Sequence, residues 1–288
     1  MLRRMKILLQ IRARVQPLLL SAGALALVAA MFAAVPATGR HLRVVQDNEQ
    51  LTPQQREIER QRRRLRSEDV EDRRDALMRL KNLKRPDAAR VAVAGLSDSA
   101  PIVRVTAAHA IMSLPQAEAA ALLLPLLQDK LEFVRREAVY ALGETRSPSA
   151  VVPLGNILSS DKEMTVRSAA ALALGEIGDE SAVQVLAQVL AGQPGKKQKA
   201  KGEANDFVKR AAAQSLGRIK SRASVEVLIA TLSNDVNDSD VRREAATALG
   251  LIGDPAAVPA LQAAFTSGDP YLVEAARAAL RRLKVAKN

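Results

Sequence analysis

Basic side chains recur at one position of a repeated unit, and arginine rows of this kind can bind anions such as nucleic-acid phosphates. The unit reads VRREAATALGLIGD at residues 241–254, and further copies begin at 72, 103, 134, 166, 208 and 272. Its second residue is basic in six of the seven copies: Arg73, Arg104, Arg135, Arg167, Lys209 and Arg242. The row therefore raises the question of an anion-binding surface.

Aspartates at a fixed distance from these basic residues favour an internal role instead. Asp98, Asp129 and Asp161 each stand six residues before the arginine of their copy, and Asp235 stands seven residues before Arg242. Such an aspartate can fix a turn while an arginine reaches it or its neighbour in a stack, so we expect an Asp–Arg ladder with Arg242 as one rung. The chain has no Trp, two Tyr and four Phe, which leaves few rings for stacking bases. Nucleic acid is therefore a disfavoured partner.

Residues for catalysis are nearly absent. The two histidines, His41 and His109, lie far apart, and no His/Asp/Glu cluster has metal-ligand spacing. No Ser-His-Asp set can be assembled, and the absence of cysteine removes thiol and disulfide chemistry. We expect a protein that is not an enzyme, with no catalytic, cofactor-binding or metal-binding residues and no cofactor.

The spacing of the unit predicts how these residues are positioned. Successive copies begin 31, 31, 32, 42, 33 and 31 residues apart, which is typical of stacked helix pairs. Each copy is the second helix of a pair, and apolar residues at three- and four-residue spacing predict first helices. These first helices fall at 86–96, 115–127, 147–158, 180–190, 222–232 and 254–265. The fold class is all-α, an α-solenoid of about seven helix pairs.

Glycines mark two kinds of position in these pairs. Gly143, Gly175, Gly217 and Gly250 share one position late in the second helix, where we expect close helix approach. Gly178 and Gly253 follow second helices and predict a stop on a left-handed residue. Ser147 and Asp254 each precede a proline and predict helix starts.

Each unit combines a helix of the form AVxxLxxLL, a short Asp-bearing turn and a helix of the form VRxxAAxALGxIGD. This pattern resembles HEAT repeats, specifically those of phycobilisome-lyase-like proteins, over roughly residues 68–285. The resemblance implies a right-handed solenoid with second helices on the concave face and an internal Asp–Arg ladder. Deoxyhypusine hydroxylases share this repeat type and bind iron through His-Glu pairs, but this sequence has no His-Glu dipeptide. Bilin lyases have no such simple signature, so a lyase-like or enzyme-accessory role remains an alternative.

A candidate binding patch follows from helix geometry. The third and seventh positions of the unit lie one turn apart on the same helix face. Arg136, Tyr140, Arg210 and Arg243 then form a mixed basic and aromatic patch, a composition enriched in interface hot spots. The function that this predicts is a non-enzymatic scaffold that binds an unknown protein partner on its concave face. A solvated face with incidental arginines, and a polyanion or nucleic-acid binder, are the alternatives.

The spacing of 42 residues between the copies at 166 and 208 is longer than the others because it contains residues 192–206, GQPGKKQKAKGEAND. The segment is rich in Gly, Lys and Pro and has no apolar periodicity, so it predicts a flexible accessory loop. Insertions in repeat arrays map to loops on one face, which is often the binding face. Lys196, Lys197, Lys199 and Lys201 are candidates for contact with an acidic partner, and a solvated loop is the alternative.

The first 37 residues predict membrane targeting. Five basic residues and no acid precede or flank an uncharged run of twenty at 18–37, which is long enough to cross about 30 Å of hydrocarbon. The basic flank predicts an N-terminus inside and the array outside the cytoplasm, in a bacterial cell envelope. The segment is either an uncleaved anchor, favoured by its length, or a signal peptide cut at Thr38, which would leave a periplasmic or secreted protein. A buried core helix is disfavoured because the run is not amphipathic.

Residues 38–67 predict a charged linker and one helix before the array at 68–288. Thr52 and Pro53 mark the start of that helix as N-cap and first helical residue. Its arginines suit either an anionic surface or a solvated helix that caps the first repeat or acts as a stalk, and we favour the solvated helix. Residues 1–66 carry nine of the twelve net positive charges, so the array itself is nearly neutral.

Overall fold

The computed structural model describes residues 51–192 and 202–285, with side chains described at 51–192 and 205–283. The described residues contain fourteen α-helices and no strand. In chain order the helices are α1 Pro53–Arg64, α2 Val70–Asn82, α3 Pro86–Ala92, α4 Pro101–Ala110, α5 Gln116–Leu123, α6 Glu132–Thr145, α7 Val151–Ser160, α8 Met164–Ile177, α9 Val183–Leu190, α10 Gly202–Ile219, α11 Val225–Ser233, α12 Ser239–Ile252, α13 Val258–Ala263 and α14 Pro270–Val285.

The helices form seven consecutive pairs, from α1–α2 to α13–α14, and the second member of each pair packs on the second member of the next. Contact between successive second helices is more extensive than contact between successive first helices. From Glu57 onward the described residues form one compact unit. The expected all-α solenoid of about seven pairs is confirmed.

The first helices are shorter than the apolar pattern predicts because their ends tighten into 3-10 turns. These turns lie at Val93–Ser97, Leu124–Gln128, Pro148–Ala150, Glu180–Ala182, Arg222–Ser224, Pro255–Ala257 and Ala264–Thr266. A further 3-10 turn, Ile111–Ser113, ends a second helix. Such short pieces are common at helix ends.

Side-chain caps begin several helices. Thr52 Oγ1 accepts from the Gln55 backbone N–H at 3.2 Å, and Gln55 Oε1 accepts from the Thr52 N–H at 2.9 Å. This reciprocal capping box confirms Thr52 as the N-cap of α1. Asp254 caps the following turn by accepting from the Ala256 N–H at 2.9 Å, as expected. Ser147 is the N-cap residue before Pro148, as expected, but its side chain makes no capping hydrogen bond. Its hydroxyl lies 2.9 Å from Ser149 Oγ instead.

Left-handed residues follow five of the described second helices: α2, α6, α8, α10 and α12. Gly178 and Gly253 have φ of 75° and 77°, which confirms the expected stops. Lys84, Arg146 and Lys220 take the same conformation with φ of 51°, 52° and 58°, so a non-glycine residue fills this role in three other pairs.

The core consists of alanine, leucine and valine, and it is continuous along the array. The four glycines of the second helices face small residues of the next second helix. A Cβ added to Gly143 would lie 3.0 Å from the Ala173 Cα, and one added to Gly217 would lie 2.8 Å from the Ala248 Cα. The expected close approach of the second helices is confirmed.

Helix α1 covers the start of the array. Ile58 and Gln61 of α1 are buried, and Ile58 belongs to the apolar core. Arg64 contacts Asp72 at 2.6 Å and Asp75 at 2.7 Å on α2. The arginines of this helix are thus partly used within the fold, as the capping interpretation expects.

The predicted membrane segment 18–37 and the Lys-rich loop residues 196, 197, 199 and 201 lie outside the described residues. The membrane segment and the role of the lysines therefore stay predictions, but the predicted loop ends earlier than expected, because residues 202–206 belong to helix α10. Within the part of the chain that the structure describes, no helix combines the length and the apolar character needed to span a membrane.

Candidate partner-binding surface

Each ladder arginine reaches forward to the aspartate of the next pair. Arg135 on α6 donates from Nε to Asp161 Oδ2 at 2.7 Å and from Nη2 to Asp161 Oδ1 at 2.9 Å. Both side chains are almost fully buried. The same two-bond contact joins Arg73 to Asp98 and Arg104 to Asp129. The expected ladder is confirmed for these three rungs, and its arginines are not available to an anion.

The aspartates of the ladder also fix the turns. Asp161 Oδ1 accepts from the backbone N–H of Glu163 at 2.9 Å, and Asp98 Oδ1 accepts from Ala100 at 2.8 Å. At Asp161, burial acts to raise the pKa, but the Arg135 hydrogen bonds and the backbone N–H outweigh it and the pKa lies below its usual value. One carboxylate therefore ties a turn to the preceding second helix.

The ladder changes in the later pairs. Arg242, expected as a rung with Asp235, instead donates from Nε to the Leu232 carbonyl at 2.9 Å. Its neighbour Arg243 takes the next aspartate, Asp269, at 2.9 Å. Asp269 is the last of three turn residues, whereas Asp98, Asp129 and Asp161 are each the first, so this carboxylate lies closer to the start of its second helix and Arg243 reaches it.

The fourth and fifth rungs differ as well. Lys209 donates to Asn237 Oδ1 at 3.0 Å, so an amide replaces the carboxylate. Arg167 is 4% exposed, and burial lowers its pKa. The turn that would face Arg167 falls in the insertion, where side chains at 193–204 lie outside the described residues.

The predicted patch residues lie on three second helices, α6, α10 and α12. Tyr140 is 38% exposed, and Arg136 lies one turn before it on α6. Between α6 and α10, helix α8 places the buried Ser168 and the half-buried Leu172 at the equivalent positions. The patch is therefore divided into an α6 part and an α10–α12 part.

The arginines of the patch all contact carboxylates. Arg136 lies 3.3 Å from Glu132, and Arg210 lies 3.4 Å from Asp240. Arg243 contacts Asp240 at 2.5 Å in addition to Asp269. The contacts of Arg136 and Arg210 are the long ones, so these two guanidinium groups are the more available for exchange with a partner carboxylate.

A further group of acidic and basic side chains that contact one another lies on the second helices. Glu176 accepts from Arg146 at 2.6 Å and from Arg218 at 3.3 Å. Glu244 is half-buried, and burial raises its pKa although Arg210 and Arg218 act to lower it. The exposed face of the second helices is thus a mixture of both charges and not a basic stripe.

The aromatic rings form a feature that sequence reasoning missed. Every aromatic side chain among the described residues is exposed: Phe133, Tyr140, Phe207, Phe265 and Tyr271. Four of them carry an arginine over the ring, with the guanidinium carbon 5.2–5.8 Å from the centroid, in the pairs Arg136–Phe133, Arg210–Phe207, Arg243–Tyr271 and Arg277–Phe265. The available signal was positional, because Phe133, Phe207 and Tyr271 each stand one residue before their copy of the unit.

Metal-binding groups are absent from the described residues: no cluster of three or more His, Cys, Asp or Glu side chains is found there. His109 lies 3.5 Å from Glu137, which is a single contact on two neighbouring second helices.

Comparison with known proteins identifies the repeats. The HEAT repeats family matches residues 61–139, 132–200 and 194–281. No match was found among curated proteins. Human deoxyhypusine hydroxylase in complex with glycerol is 21% identical, with 87% of this chain and 91% of that chain covered and a TM-score of 0.40.

Two further solved structures are similar. The complex of CpcE and CpcF of phycocyanin lyase from Nostoc is 23% identical, with 83% and 89% of the two chains covered and a TM-score of 0.46. YibA of E. coli is 20% identical, with 87% and 97% covered and a TM-score of 0.46. The family match spans most of the chain, and the stacked pairs and the ladder fit it, so this protein belongs to the HEAT repeats family.

Proposed function

We propose that this protein is a non-enzymatic scaffold that binds a partner protein on the exposed face of its second helices. The observation that carries the proposal is the placement of Tyr140, an exposed ring next to Arg136 on a helix packed on both sides by other second helices. Tyrosine and arginine are the residue types that dominate binding energy at protein interfaces.

Rigid display is the mechanism. The ladder and the glycine contacts hold each second helix against the next, so the side chains on their exposed face lose little freedom on binding. The ion pairs of Arg136 and Arg210 orient their side chains before a partner arrives. A partner with carboxylates and an apolar contact for Tyr140 suits this face.

A photo-crosslinking residue at position 140 tests the proposal in cells that make the full chain. Val152 is the matched control, because it is 73% exposed but lies on a first helix, α7. We expect a discrete crosslinked adduct from position 140 and none from position 152. Equal adducts from both positions, or none from position 140, would show that the second-helix face is not the binding surface.

The non-enzymatic part of the proposal has its own measurement. A bound chromophore or metal would indicate a lyase-like or enzyme-accessory role. For a non-enzymatic scaffold we expect the purified full chain to be colourless by absorption spectroscopy and metal-free by elemental analysis. A polyanion binder would show affinity that falls steeply with salt. Internal pairing of Arg73, Arg104 and Arg135 argues against that role.

Residues 18–37, in this proposal, hold the array at the outer side of a membrane or direct its export. Intact-mass measurement of the mature chain separates the two forms. A chain that begins at Thr38 would exclude the anchor, and a chain that retains residues 1–37 would exclude signal-peptide cleavage.

A further inference from the structure

The last pair of the array, α13–α14, forms an open cleft on the side that no described helix covers. The volume of the cleft is about 460 Å³, within the range of roughly 300–1,000 Å³ that is typical of small-molecule sites. Apolar and basic side chains make up most of the lining: Val258, Phe265, Leu280, Leu283, Arg277 and Arg281. The described lining contains no acidic side chain, so the cleft is apolar with basic groups.

The ring that α13 and its final turn contribute to the cleft occupies a place that is buried in other pairs. Phe265 stands seven residues after the first residue of α13 and is 41% exposed. The residues at the same place in the three preceding first helices are Leu158, Leu190 and Leu232, which are 2%, 5% and 1% exposed. The last pair therefore leaves a large apolar side chain uncovered where the array normally buries one.

Helix α14 differs at the two places where a second helix meets the next one. The place of Arg277 is fully buried in the four preceding second helices, where the residues are Val139, Ala171, Ala213 and Ala246. Arg281 stands at the place of the glycines, such as Gly250, that touch the following helix. A further helix could not approach α14 as closely as α14 approaches α12. This argues against an additional helix pair as the occupant of the cleft.

One carboxylate serves the two arginines of the cleft. Arg277 lies over the ring of Phe265, with the guanidinium carbon 5.6 Å from the ring centroid, and forms no ion pair within the described residues. Arg281 pairs with Glu274 at 2.8 Å, but these side chains are 65% and 59% exposed, and such a pair contributes little. A guanidinium group has five N–H donors, so both arginines keep donors for an anion.

The other charges at this end of the array do not neutralise the cleft. Asp254 precedes the first turn of the pair, but its carboxylate accepts from the Ala256 N–H at 2.9 Å and lies 3.7 Å from Arg222. Arg282 is exposed next to Arg281 and adds a further positive charge. The surroundings of the cleft are therefore basic after the neighbouring carboxylates are counted.

This combination of groups favours an amphiphilic anion as the ligand. A guanidinium group donates two parallel hydrogen bonds to a carboxylate, and a ring with aliphatic neighbours offers contact to an apolar body. A cationic ligand would be repelled by both arginines, and a neutral ligand would leave them without a partner.

We propose that the cleft binds a small amphiphilic carboxylate, with its charged group on Arg277 and Arg281 and its apolar body against Phe265 and Leu280. The site lies at the end of the array and does not involve the Tyr140 face.

A photoreactive decanoate tests the proposal on the full chain in phosphatidylcholine nanodiscs. Irradiation, proteolysis and mass spectrometry give the labelled residues and the probe concentration at half-maximal labelling. We expect saturable labelling within residues 255–283, displaced by decanoate but not by decyltrimethylammonium, which has the same chain and the opposite charge. Displacement by both amphiphiles, or labelling spread over the whole array, would overturn the proposal.

The basic part of the site is tested with Arg277→Gln/Arg281→Gln. This variant should raise the half-maximal concentration about tenfold or more, because a hydrogen bond to a charged group typically contributes such a factor. Arg62→Gln/Arg90→Gln is the matched control, since it removes the same charge from arginines that are 53% and 57% exposed elsewhere on the array. An equal loss in both double variants would show that net charge alone attracts the probe, which would reject the site.

The apolar part of the site is tested with Phe265→Ser. Its control is Phe133→Ser, because that ring is 40% exposed and also lies under an arginine. Both rings are outside the core, so circular dichroism should show both variants folded. We expect only Phe265→Ser to weaken labelling, and unchanged labelling in this variant would contradict the proposed contact.

A tripeptide of leucine with a free C-terminal carboxylate presents the same chemistry from a protein source. We expect it to displace the probe only at higher concentration than decanoate, because its peptide groups lose water without gaining partners in an apolar cleft. Displacement at a lower concentration would assign the cleft to a protein terminus and overturn the small-molecule proposal. A crosslinked partner at position 140 without labelling in the cleft would reject the cleft alone.

Discussion

Gly250 on α12 lies directly against Ala279 on α14: a Cβ added to Gly250 would stand 2.6 Å from the Ala279 Cα. The two helices therefore touch through their backbones, with no room for a methyl group. Residue 281 occupies the same position in α14 and is an arginine, which pairs with Glu274 at 2.8 Å. A large residue is accepted there because no described helix packs on that side of α14.

Substitution of this glycine should destabilise the array. Gly250→Ala forces two backbones apart, and overpacking of this kind typically costs about 1–3 kcal/mol. Gly155→Ala is the control, because its new Cβ would find its nearest neighbour, Val185, at 3.6 Å. In that helix the alanine should be neutral or stabilise by roughly 0.5–1 kcal/mol. Urea denaturation followed by circular dichroism compares the midpoints, and equal shifts would contradict this account.

Removal of one member of a ladder pair should be costly. Arg135→Met leaves Asp161 buried without its partner, and breaking a buried ion pair usually costs about 3–5 kcal/mol. The exposed pair Arg90–Glu118 is the control, with side chains 57% and 37% exposed and an expected contribution below about 1 kcal/mol. Double-mutant cycles on both pairs give the coupling energies. A coupling at Arg135–Asp161 no larger than at the exposed pair would be evidence against a stabilising ladder.

Acid should weaken the ladder. Because the folded pKa of Asp161 is depressed, its stabilising contribution is fully present above the unfolded pKa of about 4 and is lost as pH falls through the folded value. The wild-type chain should therefore lose stability between about pH 5 and pH 2. Asp161→Asn should be less stable at pH 7 but lose less over that range. Thermal unfolding at several pH values measures this, and parallel pH profiles would refute it.

Glu244 should behave in the opposite sense. Burial raises its folded pKa, so the ionised carboxylate destabilises the fold above that pKa and has no such effect below the unfolded value of about 4. Glu244→Gln should raise the urea midpoint at pH 7, and the difference should vanish below about pH 4. A lower midpoint at pH 7 would mean that attraction to Arg210 and Arg218 outweighs burial.

Much of the fold follows from local pattern. The helix pairs, the left-handed stops at Gly178 and Gly253 and the close approach at Gly250 were all expected from spacing and residue type. These features depend on neighbours within one or two turns of chain, or on a position repeated in every copy. A periodic sequence records them directly.

Partner choice between repeats was harder to predict. Sequence spacing places Asp98 six residues before Arg104, yet Asp98 Oδ2 accepts from Arg73 of the preceding pair at 2.7 Å. Arg243, expected on the exposed patch, reaches Asp269 because this carboxylate is the last and not the first residue of its three-residue turn. The rotation between successive helices decides which arginine a turn carboxylate meets, and that rotation is not visible in one copy of the unit.

By itself the sequence determined the α-solenoid, its seven pairs and the residue types of its ladder, because each depends on a repeated local pattern. Only the tertiary structure decided that α8 divides the patch around Tyr140, and that Phe133, Phe207 and Tyr271 stand exposed under arginines. Exposure and neighbourhood across repeats arise from how helices stack in three dimensions, which residue spacing along the chain does not specify.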